Sequence, residues 1–165
     1  MQTLLRFLYF LSLIFWLGSI FFFSLIAARS AFKILPREMA GDLVADIFPK
    51  YYLIAYLCGG VALFTTIINW VAGYTASGVV YTLIIAILCV MLGLSLYAGT
   101  VITPNAHELR MEMRTLSKDV PRYNEVQRNF SSLHKRSAII NSVIFLLGIA
   151  IVILTAYTYR DRRLF

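Results

Sequence analysis

The chain has 165 residues, 60% of them hydrophobic and 14% charged, with a formal net charge of +7 and a mean hydropathy of +0.78. Soluble domains carry about 45–50% apolar and about 25% charged residues, and a chain this short has too much surface to hide the excess. A water-soluble fold is excluded, and the positive charge needs no nucleic acid, because the basic residues sit beside apolar runs where membrane topology accounts for them.

A spanning helix needs roughly 20 apolar residues, and four segments supply them: 7–28, 51–73, 79–103 and 138–159. None has Asp, Glu, Lys, Arg or His in its interior. The first is longer than the core of a signal peptide, about 7–15 residues, and no small-residue cleavage site follows, so it is expected to stay as a span. The expected fold is an all-α membrane protein of one domain: an antiparallel four-helix bundle with a short interfacial helix and a helical hairpin extending spans three and four.

Between spans one and two, Met39, Leu43 and Ile47 recur every four residues, flanked by Ala40, Val44 and Phe48. Glu38, Asp42 and Asp46 fill the opposite face. Pro36 starts such a helix well and Pro49 is expected to end it, giving an amphipathic helix lying in the interface.

Spans two to four carry stripes of small or weakly polar residues. Span two has Ala55, Gly59, Ala62, Thr66, Asn69 and Gly73. Span three has Thr82, Ala86, Cys89, Gly93 and Thr100, and span four has Asn141, Gly148 and Thr155. Lipid gives helices no hydrophobic reason to associate, so close approach at small residues must hold them together. Gly59, Ala62, Thr66, Gly93 and Gly148 are the expected packing residues, with bulky Phe and Leu turned to lipid. Asn69 is the most polar deep residue, and an interhelical hydrogen bond is expected for it. Cys58 and Cys89 lie about 10 Å apart in depth, at 1.5 Å per residue, too far to share a metal.

Beyond span three, Ala106, Leu109, Met113 and Leu116 form one apolar stripe. Tyr123, Val126, Phe130 and Leu133 form another, with a turn at 117–121 between them. Folded antiparallel, Leu116/Tyr123, Met113/Val126, Leu109/Phe130 and Ala106/Leu133 pair without a slip. Arg114 is expected near Glu125, and Pro104 marks a kink.

Two histidines, His107 and His134, fall at the base of this hairpin, with Glu108 and Asn141 close by. Such a mouth could hold a metal or a polar substrate; hydrogen bonds that fix the hairpin explain the same residues, and two histidines without a third fixed ligand fall short of a metal motif. No nucleophile elbow, phosphate loop or metalloprotease motif is present. A coupled ion pump needs an ionisable group within the membrane, and the spans have none. No catalytic residue and no cofactor is therefore expected.

Eleven Lys and Arg fall in the two long loops: Arg29, Lys33, Arg37, Lys50, Arg110, Arg114, Lys118, Arg122, Arg128, Lys135 and Arg136. Four, Arg6, Arg160, Arg162 and Arg163, fall on the other side. This predicts cytoplasmic loops and external termini, in a bacterial inner membrane.

The segments WLGSIFFFSLIAARSAFKILPREMAG, FPKYYLIAYLCGGVALF, TPNAHELRMEMR and FSSLHKRSAIINSVIFLLG together resemble the transmembrane protein 205-like family of small four-span proteins. The resemblance implies a transport-associated role and supplies no catalytic residues. A more distant likeness is to four-span segments of copper-resistance protein D-like and haem-related membrane proteins. Those rely on histidines within their spans, where this sequence has none. The reading is a non-enzymatic membrane protein, transport-associated or a scaffold. Its partners are the lipid bilayer and either a second copy of itself or a larger membrane complex, with no nucleic acid. The alternatives are an accessory subunit of a respiratory or photosynthetic complex, and a metal- or haem-binding transporter using His107 and His134.

Overall fold

Residues that recur at alternating steps of three and four stay on one side of a helix, and this spacing organises the whole interior. Tyr9, Leu13, Trp16, Ile20 and Phe23 follow it, as do Ile84, Leu88, Met91, Ser95, Ala98 and Ile102, and then Asn141, Ile144, Gly148, Ile151, Thr155 and Thr158; all are buried. The computed structural model describes residues 1–73, 78–117 and 119–161. The connector at 74–77, Lys118, and Arg162 and Arg163 of the tail lie outside the described residues. Four long apolar helices result: α1 (Gln2–Ile34), α2 (Arg37–Val71), α3 (Gly78–Thr115) and α4 (Pro121–Asp161). Among the described residues there is no strand. The protein is an all-α membrane helical bundle in which each helix packs against the next and α4 returns to α1. At the end of α2, Gly73 takes a left-handed conformation, φ 68°, that a side chain would resist.

All four helices outrun their apolar stretches. The segment before span two is not a separate interfacial helix, because α2 runs unbroken from Arg37 through Pro49. Pro49 has no N–H to offer the Ala45 carbonyl, but it is exposed, so water can serve that carbonyl instead. Packing on one side keeps the helix going: Ala40 and Val44 are buried, while Met39 and Leu43 are exposed. Pro36 stands at the N-cap, as expected.

Near Pro104, α3 widens into a π turn over Ala98–Ile102. The Thr103 hydroxyl donates to the Ala98 carbonyl at 3.0 Å. A second π turn, Phe22–Ala27, interrupts α1. Neither breaks its helix.

Beyond residue 103, α3 and α4 form the expected hairpin. Val126 is 1% exposed, and Leu109, Met113, Leu116, Tyr123, Phe130 and Leu133 are half-buried. The turn closes through Val120 N–H to the Ser117 carbonyl at 3.2 Å. The start of α2 joins the hairpin to make a three-helix stalk. Arg110 Nη2 donates to the Glu38 carbonyl at 2.7 Å and lies 3.1 Å from Asp42 Oδ1. Gly41 leaves room for it, since a Cβ there would stand 2.5 Å from that nitrogen. Arg114 pairs with Asp42, not Glu125; Glu125 is taken by Arg122, which also holds Glu112 at 3.0 Å. Asp42, on the acidic face of α2, draws Arg114 across.

The seam of α3 is the reverse of the one expected. Thr82, Ala86, Cys89, Gly93 and Thr100 are all exposed, and the bulky Ile84, Leu88 and Met91 point inward. Four small-lined helices would leave an axial void, and a void forfeits dispersion contacts. Large side chains of α1 and α3 therefore fill the space over the small residues of α2 and α4. Gly59 shows the fit: a Cβ there would stand 2.8 Å from Leu92 Cδ1 and 2.9 Å from the Trp16 ring. Gly148 sits likewise against Leu17, and Ala62 and Thr66 are buried. Gly93 has nothing within 4 Å of a built Cβ. Phe7, Phe15, Phe22, Leu57 and Phe64 do face outward.

Gly59→Leu should lower stability by about 1–3 kcal/mol through overpacking against a rigid ring. Gly93→Leu should not lower it, because nothing crowds a side chain there and losing a mid-helix glycine favours the helix. Reversible unfolding in mixed detergent micelles measures both, and equal effects would contradict the packing described.

Candidate functional site

Polar side chains inside the bundle gather at two levels, one near the stalk and one near the chain termini. The first is built on consecutive tyrosines of α2. Tyr51 and Tyr52 are 4% and 2% exposed, and a tyrosine buried among helices must find a partner for its hydroxyl. Tyr51 donates to Asn141 Oδ1 at 3.3 Å, the Tyr52 hydroxyl lies 3.4 Å from Ser137 Oγ, and Tyr56 donates to the Ser95 carbonyl at 3.4 Å. Phe23 and Phe48 extend the aromatic set, with ring centroids 5.5 Å and 6.4 Å from Tyr51. Gly99, within the π turn of α3, allows the approach: a Cβ there would stand 2.9 Å from Tyr52 Cγ. These contacts lock α2 to α3 and α4 at the base of the stalk.

The residues of the expected mouth do not converge. His107, Glu108 and His134 are exposed on the stalk, whereas Asn141 is buried against Tyr51. Among the described residues no group of three His, Cys, Asp or Glu is placed to hold a metal ion. Cys58 is half-buried and Cys89 exposed, and both are free. Within the stalk, partial burial pulls the Arg110 pKa down while Asp42 and Glu38 oppose the shift; an arginine stays cationic throughout.

The second level is a small polar cavity to which every helix contributes. Arg6 and Tyr9 come from α1, Thr66 and Asn69 from α2, Tyr81 and Ile84 from α3, and Thr155 and Thr158 from α4; the cavity volume is about 20 Å³. Tyr9 and Thr155 share a hydroxyl–hydroxyl hydrogen bond of 2.9 Å between α1 and α4. Thr66 donates to the Ala62 carbonyl at 2.7 Å, and Thr158 to the Thr155 carbonyl at 2.7 Å. Asn69 makes no interhelical bond: its Nδ2 donates to the Thr65 carbonyl of its own helix at 2.8 Å, and its Oδ1 is buried without a partner. Trp16 Nε1, deeper in the bundle, is the other buried atom without one among the described residues.

Sequence reasoning missed this cavity because it weighed Asn69 alone and counted Arg6 only for topology. The signal was available: Tyr9, Thr155 and Thr158 extend the buried heptad tracks of α1 and α4 to the same end as Asn69.

A family model described as "Domain of unknown function (DUF4149)" matches residues 11–115. No curated protein and no solved structure matches the chain.

A double-mutant cycle of Tyr9→Phe and Thr155→Val should give a coupling of about 0.6–1.7 kcal/mol, the range for interhelical hydrogen bonds in membranes. Additive effects in detergent unfolding would mean the two hydroxyls do not bond.

Proposed function

The chain belongs to the DUF4149 family, a membership that brings no chemistry with it, and we propose from its geometry that it is a scaffold or transport-associated module that holds a rigid helical stalk over the membrane. The observation that carries this reading is the stalk itself. Three of the four helices leave the apolar region without a break, pack on one another along apolar stripes, and are tied by Arg110, Arg114 and Arg122. Lipid does not require such a structure, and spans alone would insert without it.

In this reading the stalk is cytoplasmic, the termini are external and the membrane is a bacterial inner membrane. The eleven basic residues of the loop side against four on the other support that orientation. The likeness to the transmembrane protein 205-like family agrees with a transport-associated role. The second reading, an accessory subunit of a larger membrane complex, is favoured by one feature, the small-residue face that α3 turns outward at Ala86, Cys89 and Gly93. Close backbone approach at such a face suits another helix better than lipid tails. The metal- or haem-transporter alternative is not carried forward, because His107 and His134 stand exposed on the stalk with no third ligand grouped with them among the described residues.

Replacing residues 109–130 with a short linker should leave all four helices inserted while removing the proteins that co-purify with the full chain from its native membrane. An unchanged set of co-purifying proteins would overturn the scaffold reading. Migration on a native gel in mild detergent as a monomer or small homo-oligomer would remove the accessory-subunit reading. An alkaline phosphatase fusion at residue 118 should be inactive and one at residue 165 active; the opposite pattern would invert the orientation.

A further inference from the structure

The cavity among Tyr9, Thr66, Asn69 and Thr155 contains an unmet demand. Asn69 is 6% exposed, and its Oδ1 has no hydrogen-bond donor. The assignment of the amide is fixed by geometry, since Nδ2 faces the Thr65 carbonyl, which can only accept. The atom itself is buried, and a bare carbonyl oxygen closed off from solvent is costly. The neighbouring hydroxyls do not meet the demand. Thr66 and Thr158 spend their protons on carbonyls of their own helices, which leaves their oxygens as further acceptors. Arg6, Tyr9 and Tyr81 bring donors to the same wall, yet Asn69 Oδ1 receives a hydrogen bond from none of them.

Size then selects the ligand. The cavity holds about 20 Å³, and roughly 10–15 Å³ on this measure accommodates one water, which needs two to four polar partners. A larger ligand does not fit, and Arg6 in the wall opposes a bare cation of similar size. We propose that this cavity is a binding site for a single water molecule, which donates to Asn69 Oδ1 and to a threonine hydroxyl and so joins α2 to its neighbours near the chain termini. The polar end of the bundle is then a hydrated site, whereas the level of Leu88 and Met91, both fully buried, is dry.

Radiolytic hydroxyl-radical labelling of the full chain in lipid nanodiscs, read by mass spectrometry, tests this. Radicals formed from a bound water oxidise the side chains beside it. Tyr9 and Ile84, only 7% and 2% exposed, should be labelled, while Met91, intrinsically more reactive, stays silent. Asn69→Leu and Thr66→Val should each reduce the labelling of Tyr9 and Ile84 severalfold and leave the exposed Met39 and Met111 unchanged. Wild-type Tyr9 and Ile84 as silent as Met91 would overturn the proposal, whatever the variants do. Undiminished labelling in a variant whose Met91 remains silent would overturn it too.

Discussion

The fit of the Trp16 ring against Gly59 is the contact on which the bundle depends. Helices in lipid gain nothing from hiding apolar surface from one another, so shape must hold them. Trp16 is 0% exposed in the middle of α1, and the glycine opposite removes the one carbon that would keep it out. Leu92 of α3 closes on the same glycine. Three helices therefore meet at one position of α2, with the tracks above and below running on from it at heptad spacing. The alternation of a large side chain with a small one recurs at Gly148 with Leu17 and at Gly99 with Tyr52.

That rule also separates what the residues disclose from what they conceal. Span number and the paired stripes of the hairpin follow from hydropathy and period alone, and Val126 is buried where the pairing puts it. The inside of α3 does not follow. Its small residues have the same spacing as those of α2, and only the bundle axis, with a void to be filled, determines that Leu88 and Met91 point inward. Proline misleads for a related reason. Pro49 stops a helix in isolation, but the packing of Ala40 and Val44 on the stalk outweighs one lost backbone hydrogen bond.

Charge pairs were the least legible part. The hairpin pairing puts Arg114 opposite Glu125, yet Arg114 turns to Asp42, some seventy residues away in sequence. Glu125 is already held by Arg122 three residues before it. The choice depends on α2 continuing upward as a third wall, itself hidden by Pro49. Among polar groups, the link from Asn141 to Tyr51 and the cavity beside Asn69 needed helix rotations that no single span specifies.

The unbroken passage of α2, α3 and α4 past the apolar region has a mechanical consequence. A chain with flexible linkers at the membrane surface would uncouple what lies outside from what lies within. Here α2, α3 and α4 pass from one region to the other as continuous helix. The dozen or so residues of α3 beyond Thr103 reach about 18 Å at 1.5 Å per residue, so a tilt of about 10° in the bundle carries the tip sideways by about 3 Å. The stalk is the shorter arm of a lever whose longer arm is the membrane-spanning bundle, and a change in helix tilt becomes a displacement at its tip.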